Sequence, residues 1–138
     1  MSDLASIARQ YLEAAPRADY DKVRQLFHPR YSYTGGDGQR QNAEAAIAGC
    51  AMFTTAFPDL EAEIEKLHVA GDSVIVEVVA TGTHRADMMG IAPTLRRISL
   101  RLCKVLEIRD EKIFAEREYF DMAHLMEQLE AAPALVCS

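Results

Sequence analysis

The chain has 138 residues, which suits a single domain with one hydrophobic core. Its 15 basic and 21 acidic residues give a formal net charge of -6, which argues against nonspecific binding to nucleic acid or to an anionic membrane. No apolar run approaches the roughly 20 residues that cross a bilayer, and the first residues do not resemble a signal peptide. The three cysteines fit neither a disulfide framework nor a zinc site. These features predict a cytoplasmic protein.

Three helices are predicted in the first half of the chain. Apolar residues recur at helical spacing over residues 4–15, and Pro16 ends this first helix. A second helix follows Asp19 as N-cap and ends at His28-Pro29, because the residue before proline is pushed out of helical geometry. A short strand over residues 31–34 separates it from a third helix, which begins after Asn42 and ends near Phe57.

The second half of the chain reads as long strands. Apolar and acidic residues alternate from Leu60, and Gly71-Asp72 makes a turn into a valine-rich strand over residues 73–84. Further strands are expected over residues 97–108 and 113–119, followed by a helix that Pro133 ends. We therefore predict an α+β domain over residues 1–132 with a flexible tail over 133–138. Its curved antiparallel sheet packs against three N-terminal helices in a cone that encloses a pocket.

Two strand ends carry residues that could move a proton. Asp121 ends the last strand and could act as a general base, or it could simply cap the following helix. His84 ends the valine-rich strand and could stabilise an enolate, or it could bond to nearby backbone. No two histidines stand four residues apart, and no metal site is expected.

Six further residues are candidates for binding a ligand in the pocket. Tyrosine hydroxyls could orient a carbonyl, although buried tyrosines normally find a protein partner. Alternation places Arg117 on the same face as Tyr119 and Asp121, where it could bind a carboxylate or pair with a nearby glutamate. Met88 lies on a loop where it could either adapt to a ligand or fill the core. The candidates are Tyr11, Tyr33, Phe57, Met88, Arg117 and Tyr119.

Four segments of the chain resemble the SnoaL-like polyketide cyclase family, which has the nuclear transport factor 2-like fold. They are Phe57-Pro58-Asp59-Leu60, the strand ending in Gly82-Thr83-His84, residues 90–94, and Tyr119-Phe120-Asp121 with the helix after it. The resemblance implies a cone-shaped α+β barrel that closes a ring by intramolecular aldol condensation without metal or cofactor. It also implies that Asp121 is the acid/base and that His84 is a pocket histidine. The chain departs from the family in having no tryptophan, since Arg117 stands where an aromatic residue is common.

Two functions remain open from the sequence. One is a cofactor-independent enzyme that uses acid/base chemistry on a small carbonyl compound, by cyclisation or isomerisation. The other is a non-catalytic module that binds a small ligand in the same cone. A homodimer is expected for either, because the strand over residues 97–108 is apolar on both faces, as at Leu102 and Cys103.

Overall fold

Four helices and six strands make up the described part of the chain. The structure is a computed structural model that describes the backbone of residues 3–135 and the side chains of residues 3–130. The elements follow in the order α1 (Leu4–Ala14), α2 (Tyr20–Leu26), β1 (Phe27–Thr34), β2 (Arg40–Gln41), α3 (Ala43–Ala56), β3 (Glu61–Ala70), β4 (Ser73–Thr83), β5 (Arg97–Arg109), β6 (Lys112–Phe120) and α4 (Met122–Leu135).

The strands form one curved, open sheet in the order β2-β1-β6-β5-β4-β3. Strands β3 to β6 are an antiparallel meander, as the sequence predicts. The sheet as a whole is mixed and not purely antiparallel, because β1 runs parallel to β6. This pairing brings the start of the chain beside its last strand, so β6 lies in the interior of the sheet.

Side-chain caps determine where the helices begin. Asp19 accepts a hydrogen bond from the backbone N–H of Lys22, and Asn42 accepts one from Ala45, which confirms both predicted N-caps. The last helix continues to Leu135, so the predicted end at Pro133 comes too early. The predicted tail lies partly outside the described residues, and the domain boundary stays a prediction. No helix within the described residues is long and apolar enough to cross a membrane.

Two apolar clusters fill the space between the helices and the sheet. The first joins α1 and α2 to the inward-facing valines of β4, with Ile7 and Val76 near its centre. The second lies under α4 and the loop between β4 and β5, around Phe57, Met88 and Leu125. The pairing of β5 with β6 ends at Leu102, so Ser99 has no partner on β6. The side chain of Gln128 in α4 bonds there to both the backbone N–H and the C=O of Ser99.

The Phe-Pro-Asp and Gly-Thr-His segments hold each other in place. The carboxylate of Asp59 accepts hydrogen bonds from the backbone N–H and the hydroxyl of Thr83, at 2.7 and 2.8 Å. A Cβ atom on Gly82 would lie 3.0 Å from Cβ of Phe57, which is too close for an ordinary contact. The two segments therefore join the end of α3 to the end of β4.

A β-bulge in β6 reverses the alternation that the sequence suggests for this strand. Glu107 pairs with Ala115, but the next residue of β5, Ile108, pairs with Ile113. The additional residue on β6 turns Glu116 toward the helices together with Ile113. Side chains after the bulge consequently face the opposite way from a regular strand.

The turn between β5 and β6 contains two non-glycine residues with left-handed backbone. Asp110 and Glu111 have φ angles of 54° and 60°, which a two-residue hairpin turn of this kind requires at both central positions. An L-residue with a side chain is disfavoured there by about 1–2 kcal/mol.

We expect Glu111→Gly to raise the free energy of unfolding by up to about 1 kcal/mol, because glycine adopts this conformation without a steric penalty. Urea denaturation measures the change, and Glu111→Ala is the matched control because it keeps the Cβ atom. Equal stability of the two variants would contradict the strain at this position.

Candidate functional site

Three charged residues meet on the inward face of the sheet. Glu116 and Glu118 project from β6 after the bulge, and Lys104 projects from β5, where it pairs with Glu118 in the strand register. The Lys104 ammonium lies 2.6 Å from Oε2 of Glu116 and 3.1 Å from Oε2 of Glu118. We call these residues and the tyrosines bonded to them, Tyr11, Tyr31 and Tyr33, the inner polar cluster.

Glu116 is the buried centre of the inner polar cluster. Its side chain has 0% exposure, and its Oε1 atom accepts hydrogen bonds from the hydroxyls of Tyr11 and Tyr31, at 2.7 and 2.6 Å. Its other oxygen accepts from Lys104. A buried carboxylate is tolerated only when it is paired and hydrogen-bonded, and these three donors meet that requirement.

Glu118 lies at the more accessible end of the same cluster. The hydroxyl of Tyr33 donates to its Oε1 atom at 2.6 Å. The side chains of Glu118 and Lys104 are 16% and 14% exposed, whereas that of Glu116 is fully enclosed. Glu118 is therefore the more accessible of the two carboxylates.

The protonation states of the cluster follow from burial and from the opposite charges. Burial alone would lower the pKa of the Lys104 ammonium, but the charges of Glu116 and Glu118 outweigh it and hold that pKa well above its ordinary value. Burial alone would raise the pKa of Glu118, but the charge of Lys104 and the Tyr33 hydroxyl lower it. Burial and the neighbouring carboxylates raise the pKa of Tyr33. At neutral pH Lys104 is thus an ammonium, Glu118 a carboxylate and Tyr33 a neutral phenol.

Sequence reasoning missed Lys104, Glu116, Glu118 and Tyr31. One signal was available for Lys104, because it interrupts a run of apolar residues at alternate positions of β5 that begins at Ile98 and ends at Ile108. A lysine on the apolar face of a strand requires a buried partner or an opening. The glutamates gave no such signal, because only the bulge places them on this face.

The structure places Asp121 at the solvent-exposed start of α4. Its Oδ1 atom accepts a hydrogen bond from the backbone N–H of His124 at 3.1 Å, which is the helix-capping alternative. Strand β5 shows how far Asp121 lies from His84. The backbone N–H of His84 bonds to the C=O of Arg96, whereas Phe120, just before Asp121, pairs with Leu102. Arg96 and Leu102 are six residues apart, which is roughly 20 Å along an extended strand, and the side chains of His84 and Asp121 share no hydrogen bond.

Arg117 and Tyr119 lie on the outer face of the sheet, away from the helices. The Arg117 guanidinium pairs with Glu107, and Tyr119 is 48% exposed beside Cys103. Arg117 therefore pairs with a nearby glutamate, which was one of its two alternatives, and the bulge in β6 is the reason that its side chain faces outward. Tyr11 and Tyr33 do face inward, where both donate to carboxylates of the inner polar cluster.

His84 is fully buried and held by Thr94. The backbone N–H of Thr94 donates to Nδ1 of His84 at 3.1 Å, so this nitrogen is an acceptor and the ring proton lies on Nε2. The Nε2 atom is buried and has no hydrogen-bond partner within the described residues. The Phe57 ring packs 5.5 Å away, centre to centre.

Phe57 and Met88 belong to the second apolar cluster. Both side chains are enclosed, and the backbone of Met88 forms two hydrogen bonds with Ile91. Met88 therefore fills the core, which was one of its two alternatives.

The two best-formed concave sites are open grooves on the surface, one along α1 and one on the outer face of the sheet near Arg101 and Tyr119. Neither groove is lined by the residues of the inner polar cluster. The pocket expected from the sequence stays a prediction. No group of three or more His, Cys, Asp or Glu side chains in this part of the chain could hold a metal ion.

Comparison with known proteins decides the family. The model for the SnoaL-like polyketide cyclases matches residues 5–129, which is nearly the whole chain. The chain belongs to this family. No curated protein matches it at a significant level.

Several solved structures share this architecture. A candidate hydroxylase from Streptomyces galilaeus is 22% identical, with a TM-score of 0.86 over 94% of this chain and 82% of its own. A candidate polyketide cyclase from Streptomyces antibioticus is 23% identical, with a TM-score of 0.84 over 93% and 99%. A candidate SnoaL-like cyclase from Jannaschia sp. CCS1 is 22% identical, with a TM-score of 0.86 over 94% and 93%. At these identities the likeness establishes the fold.

We expect Lys104→Met to lower the free energy of unfolding by about 3–5 kcal/mol, because it leaves the enclosed Glu116 carboxylate without its cation. The double variant Lys104→Met/Glu116→Gln should lose clearly less, since it removes both charges. Chemical denaturation of the three proteins measures both changes. A double variant no more stable than the single one would contradict this account of the pair.

Proposed function

We propose that the protein is a cofactor-independent acid/base enzyme of the cyclase type, acting on a small compound with two carbonyl groups flanking one carbon. The observation that carries this proposal is Glu118, a partly accessible carboxylate bonded to a tyrosine and an ammonium on the inward face of the sheet. Family membership supports a cyclase-type reaction at the family level. In this proposal Glu118, and not Asp121, removes the proton.

The reaction begins when Glu118 takes a proton from the carbon between the two carbonyls. The C–H electron pair becomes an enolate, and a new O–H bond forms on the carboxyl. Each carboxylate oxygen has two lone pairs, so Glu118 can accept this proton while Tyr33 and Lys104 remain bonded. The enolate carbon then attacks a third carbonyl, farther along the same molecule, and the resulting alkoxide takes the proton back from the Glu118 carboxyl.

The lowered pKa of Glu118 restricts the substrate. A carboxylate stabilised by Lys104 and Tyr33 is a weak base at neutral pH. It can remove only a relatively acidic proton, such as one on a carbon between two carbonyls. This requirement favours a 1,3-dicarbonyl over a simple ketone.

We expect Glu118→Gln to slow α-proton exchange of a 1,3-diketone in D2O by about 100-fold or more, on the usual scale for a general base. Asp121→Asn is the matched control and should retain nearly the wild-type rate, because its carboxylate caps a helix at the surface. Proton NMR measures the exchange. Wild-type exchange in Glu118→Gln, or its loss in Asp121→Asn, would contradict the assignment of Glu118.

The same proposal determines the pH dependence. Because the pKa of Glu118 is lowered, the basic form persists through neutral pH and is lost only as the pH falls below the ordinary glutamate value of 4.5. The Lys104 pKa is raised, so its charge persists above pH 10.5. The rate should therefore show no inflection near pH 6–7, where an imidazole base would titrate.

A binding module remains the second candidate, since neither of the two best-formed grooves includes Glu118 or Lys104. In that case the diketone would perturb NMR signals of inward-facing residues without any faster exchange. Equal binding by wild type and Glu118→Gln would support it.

We further propose that two copies pack through the outer face of the sheet. This face carries half-buried apolar side chains, such as Val79 and Val105, among ion pairs such as Arg101–Glu65. A surface with both charge signs around an apolar centre can pair with a second copy of itself across a twofold axis.

Sedimentation velocity at micromolar concentration should show a dimer that Val79→Lys converts to a monomer, because the change buries a charge in the interface. Val69→Lys is the control. Val69 is exposed at the far end of β3 and pairs with the inward-facing Val74, so its side chain is on the inner face of the sheet and outside the proposed interface. A monomeric wild type would exclude this assembly.

A further inference from the structure

We propose that Lys104 is the oxyanion-binding residue of this site, with Glu116 as the residue that positions its ammonium. The negative charge that forms on a substrate carbonyl oxygen would be taken up by Lys104 as Glu118 gains its proton. This inference rests on the proposed function, because it names the group that stabilises the enolate of that reaction.

The hydrogen-bond inventory of Lys104 leaves room for a ligand. An ammonium has three N–H bonds, and the polar contacts within the described residues are to Glu116 and Glu118. One N–H is therefore available for an oxygen that approaches beside Glu118. The base and the cation that the reaction needs are adjacent, because Lys104 contacts the same carboxylate that would remove the proton.

Glu116 fixes the position of this ammonium. Its Oε1 atom is held by Tyr11 from α1 and Tyr31 from β1, and its Oε2 atom bonds to Lys104 at 2.6 Å. The Lys104 ammonium also lies 5.3 Å from the centre of the Tyr11 ring. Because Glu116 has no exposure, it does not contact a ligand, and it acts only through Lys104.

The charges of the reaction balance around Lys104. Before proton transfer, Glu118 carries the negative charge and the substrate is neutral. Afterwards Glu118 is neutral and the enolate oxygen carries the charge, so the total charge of site and substrate does not change. The third N–H of the ammonium can then bond to the enolate oxygen, and this preorganised cation stabilises charge where it develops.

The same electrostatics disfavour a covalent role for Lys104. A lysine forms a Schiff base only through its neutral amine, and the raised pKa of Lys104 keeps it protonated. A fixed positive charge is what an oxyanion site requires, whereas a nucleophilic lysine needs a lowered pKa.

A stable phenolate can stand in for the enolate, since both place a negative charge on an oxygen next to a planar carbon. Glu118→Gln imitates the neutral carboxyl that exists after proton transfer. We therefore expect Glu118→Gln to bind the anion of 4-nitrophenol at least about tenfold more tightly than wild type, which corresponds to one pKa unit for the bound phenol. Absorbance titration against pH measures this, because the neutral and ionised forms of the probe absorb differently.

The deciding comparison is Glu118→Gln with and without Lys104→Met. The inference is supported if Glu118→Gln/Lys104→Met loses the tighter phenolate binding. Glu118→Gln/Lys104→Arg keeps the positive charge, so it should keep part of that binding. The triple variant that adds Glu116→Gln removes the unpaired carboxylate, so it serves if the double variant fails to fold. Unchanged phenolate affinity after the loss of Lys104, in either background, would overturn the inference.

The two proposals fail separately. Wild-type proton exchange in Glu118→Gln would refute Glu118 as the base, yet Lys104-dependent phenolate binding would still support the anion site. Phenolate binding that ignores Lys104 would refute the anion site even if exchange depended on Glu118.

Discussion

The buried ion pair between Lys104 and Glu116 is the interaction on which the interior of this protein depends. Two charges removed from water are tolerated only when they are paired and when their remaining hydrogen-bonding atoms are satisfied. Here the requirement is met by groups from four elements: Tyr11 of α1, Tyr31 of β1, Lys104 of β5 and Glu116 of β6. These hydrogen bonds fix α1 and β1 against β5 and β6 in one arrangement, because hydrogen bonds are directional and apolar packing is not.

The recognisable motifs of the chain and its candidate chemistry lie in different places. The Phe-Pro-Asp and Gly-Thr-His segments form a structural joint, in which Asp59 bonds to Thr83 and Gly82 admits Phe57. His84 is enclosed behind that joint, and Asp121 caps a helix. These segments thus take part in the scaffold, whereas Lys104, Glu116 and Glu118 of the inner polar cluster lie on β5 and β6 outside them.

The character of the cluster also limits the chemistry it can support. Lys104 and Tyr33 make Glu118 easy to ionise and therefore weakly basic, which matches a carbon acid activated by two carbonyls. The same ammonium that weakens the base can stabilise the product of proton removal, so the loss of basicity is offset where charge develops. The proposed reaction thus uses the carboxylate, the ammonium and the phenol that occur together at the more accessible end of the inner polar cluster.

Local rules were enough to predict most elements of the fold. Helical spacing and the caps Asp19 and Asn42 indicated the helices, and alternation indicated the strands, because these patterns depend on neighbours within a few residues. The interruption of the apolar face of β5 by Lys104 was also visible in the sequence. What only the tertiary structure decided was the bulge at residues 113–115 and the parallel pairing of β1 with β6. Both depend on contacts between distant parts of the chain, and the bulge turned Glu116 and Glu118 inward and Arg117 and Tyr119 outward.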